Sequence, residues 1–133
     1  MKSLKEIIIE KLKIDSKTKI SDNQCQYYPK DKEELDKIIK KLIEERGLEA
    51  NLNDIDTSNI VNMAGLFKMS KFDGNISEWN VSNVKNMNAM FAYSCFSEKN
   101  GNISNWNTDK VKTMQYIFYN CPLEKNPPKW YRE

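Results

Sequence analysis

The sequence predicts an α+β repeat fold: a short parallel solenoid of three units, closed at its N-terminal side by a helical cap. Three observations carry that expectation. A phrase recurs, first as Ile55-Asp56-Thr57-Ser58-Asn59-Ile60-Val61-Asn62-Met63 and then as Trp79-Asn80-Val81-Ser82-Asn83-Val84-Lys85-Asn86-Met87. Its third copy is Trp106-Asn107-Thr108-Asp109-Lys110-Val111-Lys112-Thr113-Met114. The apolar landmarks after each copy keep one spacing, 24 residues and then 27, as stacked copies of a small unit require. Ahead of the copies stands one strongly amphipathic helical pattern. The division expected is residues 1–51 for the helical cap and 52–133 for the three-unit solenoid and a short tail.

Within the N-terminal third, Leu4, Ile7, Ile8 and Leu12 fall at helical spacing, and Ser3 with Glu6 fits a capping box. A helix over Ser3–Lys13 follows, with a strand as the alternative because Ile7–Ile9 is β-branched. Ile14–Gln26 is polar and aperiodic, a loop. Pro29 drives Tyr28 out of the helical region, so Tyr27–Pro29 is read as a short extended piece. Asp31–Arg46 is the strongest helix signal. Leu35, Ile38, Ile39, Leu42 and Ile43 form one apolar stripe, with charges on the other faces. Asp31 suits the N-cap, the acids Glu33, Glu34 and Asp36 suit the positive end of the dipole, and Gly47 suits the C-terminal stop. Five large apolar residues on one face need a cover, and the first repeat is the nearest apolar surface.

The repeat positions align as columns: Ile60, Val84 and Val111; Met63, Met87 and Met114; Leu66, Met90 and Ile117; Phe67, Phe91 and Phe118. Phe72, Phe96 and Leu123 form a further column, as do Trp79, Trp106 and Trp130. The longer second interval is confined to the polar connector Ser97-Glu98-Lys99-Asn100-Gly101, which replaces Asp73-Gly74 and leaves the apolar ladder in step. Asn, Asp and Ser between each Trp and the next Ile or Val suit tight turns. The stretch after each Met suits a helical turn, and the segments around Trp79 and Val84–Met87 suit very short parallel strands. Pro127-Pro128 cannot continue a hydrogen-bonded ladder and marks the stop.

The phrases Asp56-Thr57-Ser58-Asn59-Ile60-Val61-Asn62-Met63-Ala64-Gly65-Leu66-Phe67 and Gly74-Asn75-Ile76-Ser77-Glu78-Trp79-Asn80-Val81-Ser82-Asn83-Val84-Lys85-Asn86-Met87 resemble the BspA-like leucine-rich-repeat family of bacteria. Its repeats, also catalogued as a domain of unknown function, abound in mycoplasmas and in gut and oral anaerobes. Tyr28–Leu35 and Glu45–Gly47 are similar to the lead-in that often precedes them, so the resemblance covers roughly Tyr27 to Trp130. It implies a leucine-rich-repeat-like solenoid that works by binding. Many members are surface lipoproteins, whereas Met1–Glu10 carries no export signal or lipid-attachment cysteine. A cysteine three residues after the repeat Phe is common in the family. Cys121 keeps that spacing; Cys95 does not.

Composition narrows the function. The chain contains no histidine, which removes the commonest general base and metal ligand. Cys25, Cys95 and Cys121 show no paired metal-ligand spacing, and an odd count without a secretory signal points to reduced thiols in the cytoplasm. The net charge of +2 leaves no basic surplus for tracking phosphates, so nucleic acid is disfavoured as a partner. No apolar run has the length of a membrane span. Asp54 and Asp56 are the best acid–base pair on offer, a poor one because Asp56 is replaced by Asn80 and Asn107 in the later copies. The glycosylation triplets at Asn75, Asn80 and Asn102 follow from the repeat itself.

The expectation is therefore a non-enzymatic protein–protein interaction module with no cofactor, no metal and no catalytic residue. A small phage- or mobile-element-encoded inhibitor of a host defence system and a fragment of a surface or adhesion protein stand as alternatives. The candidate partner-binding residues are Tyr93, Tyr116, Tyr119, Trp130 and Tyr131, aromatics beyond the needs of the columns or at the C-terminal end. That end carries only Lys129, Arg132 and Glu133 as polar cover, which leaves self-association through it open.

Overall fold

The computed structural model describes residues 25–133. The helix expected over Ser3–Lys13 lies outside the described residues, as does most of the loop after it. Tyr27 is extended as expected and forms a parallel bridge with Ile55. Helix α1 spans Lys32–Arg46. Asp31 caps it, its carboxylate accepting the Glu34 N–H at 3.0 Å, while Glu34 reaches back to accept the Lys30 N–H at 2.9 Å. Gly47 ends the helix at φ 97°, donating its N–H to the Ile43 carbonyl at 2.7 Å. Leu35, Ile39 and Leu42 are buried, and Ile38 and Ile43 are partly buried against the core. Arg46 anchors the helix end with two 2.9 Å bonds to the Asp54 carboxylate and one to the Asn51 carbonyl. No helix among the described residues is long and apolar enough to cross a membrane.

The expected α+β parallel solenoid of three units does not form. Among the described residues α1 is the one helix, and there is no sheet. Besides Tyr27–Ile55, strand-like pairing is limited to isolated parallel bridges at Asn51–Asn75, Asn62–Asn86 and Asn86–Thr113. The reason lies in the backbone after each Met. Gly65, Ala89 and Tyr116 have φ of 64°, 56° and 61°, and Met69, Tyr93 and Asn120 have φ of 59°, 58° and 55°. A left-handed residue every fourth position is incompatible with an extended strand and with a continuing helix.

These left-handed residues organise residues 62–70, 86–94 and 113–121 into rows of linked turns with a divided hydrogen-bond pattern. In the first row the N–H groups of Leu66, Lys68 and Ser70 donate within the row, to the carbonyls of Met63, Gly65 and Phe67 at 3.1–3.2 Å. The intervening N–H groups of Met63, Gly65, Phe67 and Met69 donate to the next row, to the carbonyls of Asn86, Asn88, Met90 and Ala92 at 2.8–2.9 Å. Met87, Ala89, Phe91 and Tyr93 repeat this onto Thr113, Gln115, Ile117 and Tyr119. Turns and inter-row bonds therefore satisfy backbone groups that a sheet would otherwise pair.

Side chains lock the rows together. Phe67, Phe91 and Phe118 stack with ring centroids 5.6 and 5.8 Å apart, and Phe72 stacks on Phe96 at 6.4 Å. Phe91 also lies 4.6 Å from Phe96, so the two phenyl columns share one core. The indoles form a second stack, Trp79 to Trp106 at 6.5 Å and Trp106 to Trp130 at 6.0 Å. Each indole N–H donates to a carbonyl of the preceding level: Trp79 to Leu52 at 2.9 Å, Trp106 to Ile76 at 3.2 Å and Trp130 to Ile103 at 2.7 Å. That bond satisfies the indole donor, which burial would otherwise orphan.

Polar turns form where expected, at Asp56 and Asn80, and also ahead of Trp79 and Trp106. Asp56, Asn75, Asn80 and Asn102 each accept both the N–H and the hydroxyl of the Ser two residues on. The short connector depends on Gly74, where a Cβ would stand 2.0 Å from the Ala50 carbonyl oxygen. The longer connector is tied down by Asp73, which accepts the Ser97 N–H at 2.7 Å and also its hydroxyl. Lys99 crosses from this connector to Glu49 at 2.7 Å. Its ammonium holds the Glu49 carboxyl below the usual range, and Glu49 in turn raises the Lys99 ammonium.

Candidate functional site

Three of the five residues proposed from the sequence come together on one surface. The Tyr119 ring meets Tyr93 edge-on at 5.4 Å and Tyr116 edge-on at 5.9 Å. The row geometry brings them together: Tyr93 donates its N–H to the Tyr119 carbonyl, and Tyr119 closes its own turn on Tyr116. Tyr93, Tyr116 and Tyr119 are 50%, 69% and 46% exposed. They contribute little to the core, and two of them occupy left-handed backbone that a tyrosine disfavours.

The other two candidates lie at the C-terminal end in different settings. Trp130 extends the indole stack and donates to Ile103, so most of its surface serves packing. Tyr131 packs on Phe118 at 5.7 Å and walls an end cavity of about 400 Å³. That cavity is bordered by Met114, Tyr116, Phe118 and Tyr119 of the last row and by Glu124 and Pro127 beyond it. Arg132 closes the neighbouring corner, donating to the carbonyls of Thr108 and Val111 at 3.0 and 2.8 Å. The tail therefore supplies more cover than its three charged residues suggested.

Met69 belongs with this surface and was not among the candidates. It is 73% exposed and occupies the same row position as Tyr93 and Asn120. The signal was present: Met69, Tyr93 and Asn120 keep the spacing of the buried columns.

The carboxylates considered for acid–base chemistry have structural partners. Asp54 is held by the Arg46 guanidinium, and Asp56 by Ser58. Among the described residues, no group of three or more Cys, Asp or Glu could hold a metal ion. Cys121 is buried, and desolvation pushes its thiol above the ordinary value. Cys25 is raised too, first by desolvation and then by Asp56 and Asp54. Cys95 is exposed.

The arrangement defines a protein of stacked turns that presents a cluster of rings beside a partly apolar end cavity. The chain belongs to the family described as Mycoplasma protein of unknown function, DUF285, which matches residues 35–131. No curated protein and no solved structure matches the chain.

Proposed function

We propose that this chain is a non-enzymatic, cytoplasmic protein–protein interaction module whose contact surface is the Tyr93–Tyr116–Tyr119 cluster. One observation carries the reading. Tyr93 and Tyr116 combine exposure with φ of 58° and 61°, a conformation that costs an L-residue about 1–2 kcal/mol and that glycine adopts freely. The packing of the core does not call for these rings, and they stand on left-handed backbone that the rows impose and that glycine would hold without strain. Strain kept at exposed positions points to use. Tyrosine suits an interface because it offers a large rigid face and a polar tip at low entropic cost.

The resemblance of the repeated phrases to BspA-like proteins supports the same reading. Affinity capture from the native host, followed by mass spectrometry, tests it. The wild type is expected to retain a partner that the variant Tyr93→Ser/Tyr116→Gly/Tyr119→Ser loses, with both chains equally folded by circular dichroism. Identical partners for the two would refute the assignment of this surface.

A further inference from the structure

The row pattern has an open edge. Each row donates alternate N–H groups to the next, and the row at 113–121 has no next row among the described residues. The N–H groups of Met114, Tyr116 and Phe118 correspond to those of Met87, Ala89 and Phe91, which bond across. Among the described residues they have no acceptor, whereas the Asn120 N–H donates to the Glu124 carboxylate at 3.1 Å. Met114, Tyr116 and Phe118 also border the end cavity of about 400 Å³. Three donors at every second residue thus line a partly apolar hollow.

We propose that this edge binds an extended segment of another polypeptide, three of whose alternate carbonyls accept from Met114, Tyr116 and Phe118, with apolar side chains on one face of the segment against the apolar wall and basic side chains on the other within reach of the glutamates. The inference rests on the module reading and names the chemistry of its partner. An extended chain presents its carbonyls to one side at every second residue, which matches the spacing of the open donors. Phe118, Pro127 and Tyr131 give the hollow an apolar wall, and its charged lining consists of Glu124 and Glu133 with no Lys or Arg. A row of N–H groups in alternating right- and left-handed backbone also suits an anion. The two carboxylates decide against that and in favour of neutral carbonyls accompanied by Lys or Arg.

The test uses the ¹⁵N-labelled full chain and two blocked heptapeptides, Thr-Lys-Leu-Lys-Leu-Lys-Thr and Thr-Glu-Leu-Glu-Leu-Glu-Thr. The lysine peptide is expected to move the Met114, Tyr116 and Phe118 amide protons downfield and to slow their exchange about tenfold, the scale of one gained hydrogen bond. It is expected to bind at least about threefold more tightly than the glutamate peptide, as an exposed charge pair would provide. Glu124→Gln with Glu133→Gln should narrow that preference while leaving the amide shifts, since the side-chain carbonyl introduced by Glu124→Gln still offers Asn120 an acceptor. Three amides unmoved by millimolar lysine peptide would overturn the proposal. So would the same shifts with inorganic phosphate alone, which would define an anion site, or on raising protein concentration alone, which would place a second copy at the edge. Unmoved amides alongside tyrosine-dependent capture would refute the edge and leave the module reading standing. Unmoved amides with no capture would refute both.

Discussion

At Gly65 the sign of a single substitution tests the turn geometry of the rows. Its φ is 64°, and the nearest heavy atom a Cβ would meet is the Lys68 Cβ at 4.0 Å, so Gly65→Ala creates no clash. Two effects then compete. Alanine restricts the unfolded chain, which stabilises by about 0.5–1 kcal/mol relative to glycine. It must also hold left-handed backbone, which costs about 1–2 kcal/mol. Strain wins, and the variant should be destabilised by roughly 0.5–1 kcal/mol. With an m-value of about 1.5 kcal/mol/M, the urea midpoint falls by about 0.3–0.7 M at unchanged slope. At an ordinary negative φ the same substitution would stabilise by about 0.4–1 kcal/mol. A midpoint that rises therefore refutes the left-handed assignment and, with it, the row pattern. Ala89→Gly, at φ 56° in the next row, provides the converse check. Relief of strain offsets the added chain freedom and the lost methyl, so its stability should stay within about 0.5 kcal/mol of wild type rather than drop by the full glycine cost.

Other substitutions probe the remaining features. Phe91 is fully buried and stacks on Phe67, Phe96 and Phe118, so Phe91→Ala should cost about 3–5 kcal/mol in equilibrium unfolding. A loss under about 1 kcal/mol would deny the shared phenyl core. Asp73→Ala removes the acceptor for Ser97 and should cost about 1–3 kcal/mol while speeding Ser97 amide exchange. If that amide stays protected, the connector is held by something else. Among thiols, Cys95 should alkylate first in the native protein, and Cys121 last, because burial both shields it and raises its pKa. Raising pH should speed Cys121 as its thiolate forms, and native Cys121 labelling that matches Cys95 at pH 8 would contradict its burial.

The parts of the architecture that could be read from residue order were α1 and the ring columns, for identifiable reasons. The Asp31 cap, the Leu35–Ile43 stripe and the Gly47 stop all act within a few residues, and α1 follows them closely. The Phe and Trp columns were legible because every copy repeats them, and ring stacking depends on that repetition. The backbone between them was not legible. Ala89, Tyr93 and Tyr116 carry no signature of left-handed φ, so the rows read as helical turns and short strands rather than as linked turns bonded across to their neighbours. The buried Thr57 and Thr108 were equally obscure. They occupy the Val81 position, and each hides a hydroxyl whose partner, the Asn80 carbonyl or Arg132, lies over 20 residues away. Among the candidate aromatics, Tyr93, Tyr116 and Tyr119 stood out because no column needs them. Trp130 keeps column spacing, and its place in the indole stack was already implied by Trp79 and Trp106.

Gly65, Ala89 and Tyr116 share one conformation, as do Met69, Tyr93 and Asn120. Residues so unlike in size and polarity can alternate there because inter-row bonds, not side-chain preference, hold the backbone. These sites are thus variables in an otherwise constrained frame, at a cost in strain that is lowest for glycine and asparagine and highest for β-branched residues. A lineage can rewrite this display one codon at a time, altering what the surface recognises while the Phe and Trp stacks beneath it stay as they are. Sequence drift in relatives should accordingly run fastest at these six positions and slowest at the rings below them.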